Sequence, residues 1–177
     1  MKIAAVATAT LGLTAGLAGA STNGMAWESV GVRYGISATH LNDVFQQAEA
    51  FTRVDLPWRW QVMDDWLLQW RADFSVGWIY GNKDHGIIGT LGPSVAIKYK
   101  DFPISIEIGS CPTLMSRDEF GDKDFGIPFQ FTSFGGFSGN IGKRWAVGYR
   151  FQHMSNAGLA RPNPGLEMHV FSVRYRF

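Results

Sequence analysis

Trp66-Leu67-Leu68-Gln69-Trp70-Arg71-Ala72-Asp73-Phe74-Ser75-Val76-Gly77-Trp78-Ile79-Tyr80 is the stretch that decides the fold. Its even positions, from Trp66 through Leu68, Trp70, Ala72, Phe74, Val76 and Trp78 to Tyr80, are all apolar. Its odd positions include Gln69, Arg71, Asp73, Ser75 and Gly77. Successive side chains of a β-strand point to opposite faces, so a period of two describes a strand between two different surroundings.

The same alternation recurs along the chain. Val30, Val32, Tyr34 and Ile36 oppose Ser29, Gly31, Arg33 and Gly35. Thr52, Val54, Leu56, Trp58 and Trp60 oppose Arg53, Asp55 and Arg59. Ile87, Leu91, Val95, Ile97 and Tyr99 oppose Thr90, Ser94 and Lys98, and Ile104, Ile106 and Ile108 oppose Ser105 and Glu107. Ile127, Phe129 and Phe131 oppose Gln130 and Thr132. Trp145, Val147, Tyr149 and Phe151 oppose Gly148, Arg150 and Gln152, and Phe171, Val173, Tyr175 and Phe177 oppose Ser172, Arg174 and Arg176. The spacing predicts eight strands.

Two all-β architectures fit this pattern: a soluble sandwich and a transmembrane barrel. The barrel is favoured because the strands approach the roughly 9–11 residues that cross a bilayer. Trp and Tyr gather near strand ends, as interfacial girdles do. Charges of both signs (Arg53, Asp55, Arg71, Asp73, Glu107, Arg150, Arg174) share the polar face, as a salt-bridged lumen requires. Closure also removes the sheet edges that hydrocarbon cannot solvate. The expectation is an eight-stranded antiparallel outer-membrane β-barrel, filled by side chains and therefore no pore. A terminal aromatic, Phe177, on an alternating last strand resembles the assembly signal of bacterial outer-membrane barrels.

Composition agrees once the two faces are separated. Mean hydropathy is −0.04, yet 14% of the 177 residues are aromatic, too many rings for a soluble domain of this size to hide. Lys2, the uncharged run Ile3 to Leu17 and the small residues Ala18-Gly19-Ala20 read as a cleaved signal peptide over residues 1–20. Residues 21–177 then form a single barrel domain. The net charge of +1 gives no reason to expect nucleic acid. Cys111 is the lone cysteine, so no disulfide within the chain is expected.

Strand count sets orientation. Both termini of an even-stranded bacterial barrel are periplasmic, with short turns on that side. The connections around Met63-Asp64-Asp65, Lys100-Asp101 and Gly139–Gly142 are short, whereas 37–47, 112–126 and 156–165 are longer and belong outside.

Parity then isolates an anomaly. On the seventh strand the lipid-facing odd positions run from Trp145 through Phe151 to His153 and Ser155. On the eighth, extrapolation back from Phe171 places Glu167 and His169 on the same side. Ionisable groups facing lipid are costly and mark function, although polar residues are also ordinary at a membrane rim. A serine, a histidine and a carboxylate on one face have the makings of a nucleophile, its base and the group that orients the base.

Phe151-Gln152-His153-Met154-Ser155-Asn156-Ala157, followed by Arg161-Pro162-Asn163 and Glu167, resembles the C-terminal signature of the PagL family of outer-membrane lipid A 3-O-deacylases. The specific match covers about the last thirty residues. The resemblance implies Ser155 as nucleophile, His153 as base and Glu167 as orienting acid. It further implies an oxyanion hole from the Asn156 side chain and the Gly158 backbone N–H, and hydrolysis of the 3-linked acyl chain of lipid A without metal or cofactor. The partners it implies are lipopolysaccharide and outer-membrane lipid, with the active site toward the outer leaflet. A site on the lipid face could also be covered by a second copy in a homodimer.

Other candidates are weaker. His169 could compete with His153 for Glu167, but His153 lies nearer Ser155. His40 and His85 fall in or near outer loops. Lys83, Arg117, Lys123 and Arg161 read as solvated loop charges that could also meet lipid A phosphates. Asp118, Glu119, Asp122 and Asp124 match no EF-hand spacing, so no catalytic metal is expected. Cys111, beside Pro112, reads as inert packing. Two rival functions remain: a non-enzymatic barrel serving adhesion or membrane integrity, and another lipid esterase or acyltransferase.

Overall fold

The structure, a computed structural model, describes residues 24–38 and 44–177. The expected signal segment and His40 lie outside the described residues. Eight long strands follow in order: β1 Ala26–Ser37, β2 Gln46–Val62, β3 Trp66–Gly81, β4 Asp84–Tyr99, β5 Ile104–Met115, β6 Phe129–Ile141, β7 Trp145–Ser155 and β8 Leu166–Arg176. Each pairs antiparallel with its neighbours in sequence, and β8 returns to β1 from Ser29↔Arg176 to Ser37↔Met168, closing the barrel. Closure leaves the sheet no open edge, the condition for strands in hydrocarbon.

The alternation survives as geometry. Phe74, Val76, Trp78 and Tyr80 are exposed on the outer wall, while Gln69, Arg71, Asp73 and Ser75 are buried inside. The strands run from 11 to 17 residues; β2, β3 and β4, at 16 or 17, exceed what a bilayer demands and carry arms beyond it. The β3–β4 arm closes on Asn82 and Lys83 alone, at φ +49° and +71°, a mirror-image turn whose twist matches the strands. β6 extends to Ile141, which moves the turn expected at 139–142 on to 142–144.

Two irregularities in the ladder matter. Between Trp27 and Ser29, β1 advances two residues while β2 advances one, from Val54 to Arg53. This single-residue bulge turns Glu28 inward beside Ser29, although simple alternation would send it to lipid. Between Asp55 and Arg59, β2 advances four residues against two on β3. An even excess leaves the faces unchanged. Pro57, which has no N–H to give the ladder, lies in that stretch, and Gln69 Nε2 repairs it from inside by donating to Leu56 O at 2.8 Å.

The lumen is layered. Toward the turn end, Glu107 gathers Arg53, Arg71 and Arg174 at 2.8, 3.3 and 3.1 Å. Above it Arg33 pairs with Glu49, and Arg53 with Asp73. Toward the loop end the lining becomes apolar: Ile79, Ile88, Met115, Met154, Met168 and Val170 are buried under the loops. There Phe45, Phe120 and Phe125 meet edge to face, with centroids 5.7 to 6.1 Å apart. The alternation predicts a polar, salt-bridged lumen; the loop end departs from it and is stoppered by packed rings. Cys111 is buried against Gly92 as packing.

Candidate active site

β7 and β8 meet in a register that sets His153 directly opposite Glu167. Facing side chains of an antiparallel pair stand close enough to bond, and here His153 Nδ1 lies 2.9 Å from Glu167 Oε1. Both side chains are partly exposed, 47% and 34%, on the outer wall near the loop end. A carboxylate at Nδ1 assigns the proton there and leaves Nε2 as the basic nitrogen. Ser155 ends β7, on the same face two residues beyond His153. Its hydroxyl is not hydrogen-bonded to His153 in this structure; such bonds commonly tighten only when substrate is bound.

His169 does not replace His153. Its Nδ1 lies 2.8 Å from Tyr149 Oη, and its ring stacks on that tyrosine. His85 is exposed near the start of β4.

The residues after Ser155 form a braced turn. Asn156 is fully buried, and its Nδ2 donates to the carbonyls of Phe125, Ala160 and Pro162 at 2.9 to 3.2 Å. Its Oδ1 accepts the Gly158 N–H at 2.9 Å, an Asx turn, and its own N–H donates to Asn163 Oδ1 at 3.0 Å. Both donors expected in the oxyanion hole are therefore engaged within the loop. What they do in this structure is tie the β7–β8 loop to the β5–β6 loop.

Sequence reasoning missed a glycine. Gly165 is buried at φ +70° immediately before β8, and a Cβ there would stand 2.9 Å from His153 Cε1. The imidazole lies against bare backbone, which only glycine provides. The contact of Gly165 with His153 is tertiary, made across the β7–β8 pair, and carries no local sequence signal.

From His153 a groove of about 510 Å³ crosses the outer wall toward Trp70. Its floor is of small residues, Ser110, Ser133 and Gly135, between Phe151 and Ile108. They adjoin because Ser133 pairs with both Ser110 and His153, and Gly135 with both Ile108 and Phe151. A larger concavity of about 1050 Å³, lined from β1 and β2 and also from β6, β7 and β8, touches none of the three candidate catalytic residues.

The basic loop residues divide. Arg117 pairs with Asp84 at 2.8 Å, and the Lys123 ammonium sits over the rings of Phe45 and Phe125, whereas Lys83 and Arg161 carry no ion pair among the described residues. Asp124 caps its own turn, accepting the Gly126 N–H at 2.7 Å.

The family described as Lipid A 3-O-deacylase (PagL) matches residues 46–176. Lipid A deacylase PagL of Bordetella bronchiseptica (strain ATCC BAA-588 / NCTC 13252 / RB50) is 38% identical over 72 residues, 41% of this chain. That match spans 40% of the relative's own length. A crystal structure of the outer membrane enzyme PagL superposes with a TM-score of 0.64 at 22% identity, covering 81% of this chain and 97% of that one. At that identity the likeness concerns the fold.

Proposed function

Because this chain belongs to the lipid A 3-O-deacylase (PagL) family, we propose that it is an outer-membrane serine esterase removing the 3-O-linked acyl chain of lipid A. The observation that carries this reading is the 2.9 Å contact of His153 Nδ1 with Glu167 Oε1 on the outer wall, with Ser155 next in line on the same face. Loops at that end face outside, so the triad meets the outer leaflet and the substrate need not enter the barrel. The groove from His153 to Trp70 receives the acyl chain, since its apolar walls and small floor suit a hydrocarbon.

His153 Nε2 takes the Ser155 proton as Oγ attacks the ester carbonyl carbon, and Glu167 stabilises the resulting imidazolium. The C–O bond to the sugar breaks, and the proton passes from His153 to the departing sugar oxygen. Water, deprotonated by His153, then attacks the acyl-enzyme, releasing the fatty acid and restoring Ser155. Asn156 and Gly158 serve the oxyanion only if Asn156 Nδ2 gives up its carbonyl partners and the Gly158 N–H leaves Asn156 Oδ1. A second copy covering the lipid-facing site is compatible with this scheme but plays no part in it.

The test is mass spectrometry of lipid A from cells expressing the wild type or Ser155→Ala. Loss of one 3-linked hydroxyacyl chain with the wild type alone is the expected result. Unchanged lipid A in both, with folded barrel on a heat-modifiability gel, would favour a non-enzymatic barrel. Altered phospholipid with intact lipid A would favour a different lipid esterase or acyltransferase.

A further inference from the structure

At the opposite end from the triad, the lumen opens into a cavity of about 440 Å³. Five cationic side chains line it, Arg71, Lys98, Lys100, Arg174 and Arg176, against the carboxylates of Glu28 and Asp101. Glu28, swung inward by its bulge, is shared among three guanidiniums at long range: Arg71 Nη2 at 3.6 Å, Arg176 Nε at 3.6 Å and Arg174 Nε at 3.9 Å.

That sharing leaves donors over. The Arg174 side chain is 3% exposed, and while its Nη2 serves Glu107 and Ser138, its Nε and Nη1 are buried with no hydrogen-bond acceptor. Lys98 lines the same cavity with no carboxylate within 4.0 Å among the described residues. Buried N–H groups of a charged side chain without acceptors are expensive. The neutral lining groups, Ser105 and Asn140, offer further hydrogen bonds. The complement of such a pocket is a small anion with several acceptor oxygens, as guanidinium forks recognise.

We propose that the turn-end cavity is a binding site for a phosphate group, held by Arg174, Lys98 and Arg176. The chemistry is shared by inorganic phosphate and by a phospholipid headgroup reaching in from the leaflet at that end. The site is independent of the lipid A chemistry on the outer wall.

The full-length barrel, folded in zwitterionic detergent, is titrated with inorganic phosphate and followed by ³¹P NMR, in the wild type, Lys98→Gln, Arg176→Gln and Lys143→Gln. Arg174 is left intact because its loss could unfold the lumen. Lys143 lies in the turn at the same end and does not line the cavity, so it controls for bulk charge. Saturable binding, weakened about tenfold by Lys98→Gln or Arg176→Gln and unchanged by Lys143→Gln, supports the site. No saturable binding, or equal weakening by all three variants, overturns it. In a second arm the barrel is extracted from vesicles of phosphatidylcholine and phosphatidylglycerol and weighed by native mass spectrometry. Retained phosphatidylglycerol, lost in Lys98→Gln, supports the site and names a lipid headgroup as its source. Phosphate binding in the first arm without retained lipid supports it with the free anion as ligand.

Discussion

Gly165 bears directly on the imidazole of His153: a methyl group added to its Cα would lie 2.9 Å from Cε1 and 3.7 Å from each ring nitrogen. Room for that methyl can come only from movement of the ring or of the backbone that leads into β8. Either displaces the imidazole, the proposed base, from Glu167. Misplacement of a catalytic group by about 1 Å costs on the order of 100-fold. Gly165→Ala is therefore expected to lower kcat for lipid A deacylation by about 100-fold with a smaller change in KM. Heat-modifiable migration, reporting the barrel, should stay as in the wild type. An unchanged kcat would show that the ring tolerates the methyl.

Glu167→Gln keeps the shape of the carboxylate and removes its charge. An amide can hydrogen-bond Nδ1 as donor or acceptor, so the tautomer is no longer enforced. In a buried triad the equivalent change costs about 10⁴-fold. Glu167 is 34% exposed, and water shares the task, so a loss of roughly 10²- to 10³-fold is expected. Single-turnover release of fatty acid measures it; a loss below tenfold would argue that Glu167 is a bystander.

Gly135 can accept a side chain, since the nearest atom to an added Cβ is Ile108 Cγ2 at 4.0 Å. A leucine there would stand in the groove without straining the sheet. Gly135→Leu should reduce turnover of long acyl chains more than short ones, read as a shift in the released fatty acids by mass spectrometry. A uniform loss across chain lengths would place the acyl chain elsewhere.

Glu107 is the shared counter-ion of Arg53, Arg71 and Arg174 deep in the lumen. Glu107→Gln leaves three guanidiniums without it. Removing one partner of a buried ion pair costs about 3–5 kcal/mol, so the urea midpoint of the refolded barrel should fall markedly. Activity of the protein that remains folded should change little, because the proposed triad stands on the other side of the wall.

Strand faces were legible because hydrocarbon and lumen impose opposite chemistries on neighbouring residues, and Gln69–Gly77 records that contrast most plainly. Parity also carried His153, Ser155 and Glu167 onto one face. It failed where a ladder irregularity or a loop intervened. Glu28 has the parity of a lipid-facing residue and is turned inward by a bulge with no local sequence mark. Ile79, Ile88 and Met168 sit at lumen positions yet are apolar, because the loop end is sealed by rings from two loops distant in the chain, Phe45 from one and Phe120 and Phe125 from the other. Asn156 and Gly158 were expected as oxyanion donors only through the family resemblance. Their hydrogen bonds to each other, and from Asn156 to Phe125, depend on how two loops pack.

The aromatic stopper has one more consequence. With the interior sealed and the proposed triad on the outer wall, a substrate of the proposed reaction would reach Ser155 by sliding within the leaflet. The encounter is two-dimensional, so the quantity that belongs in the rate law is the mole fraction of lipid A among its neighbours. Diluting lipid A with inert lipid at constant bulk concentration would then slow the enzyme, as adding buffer would not.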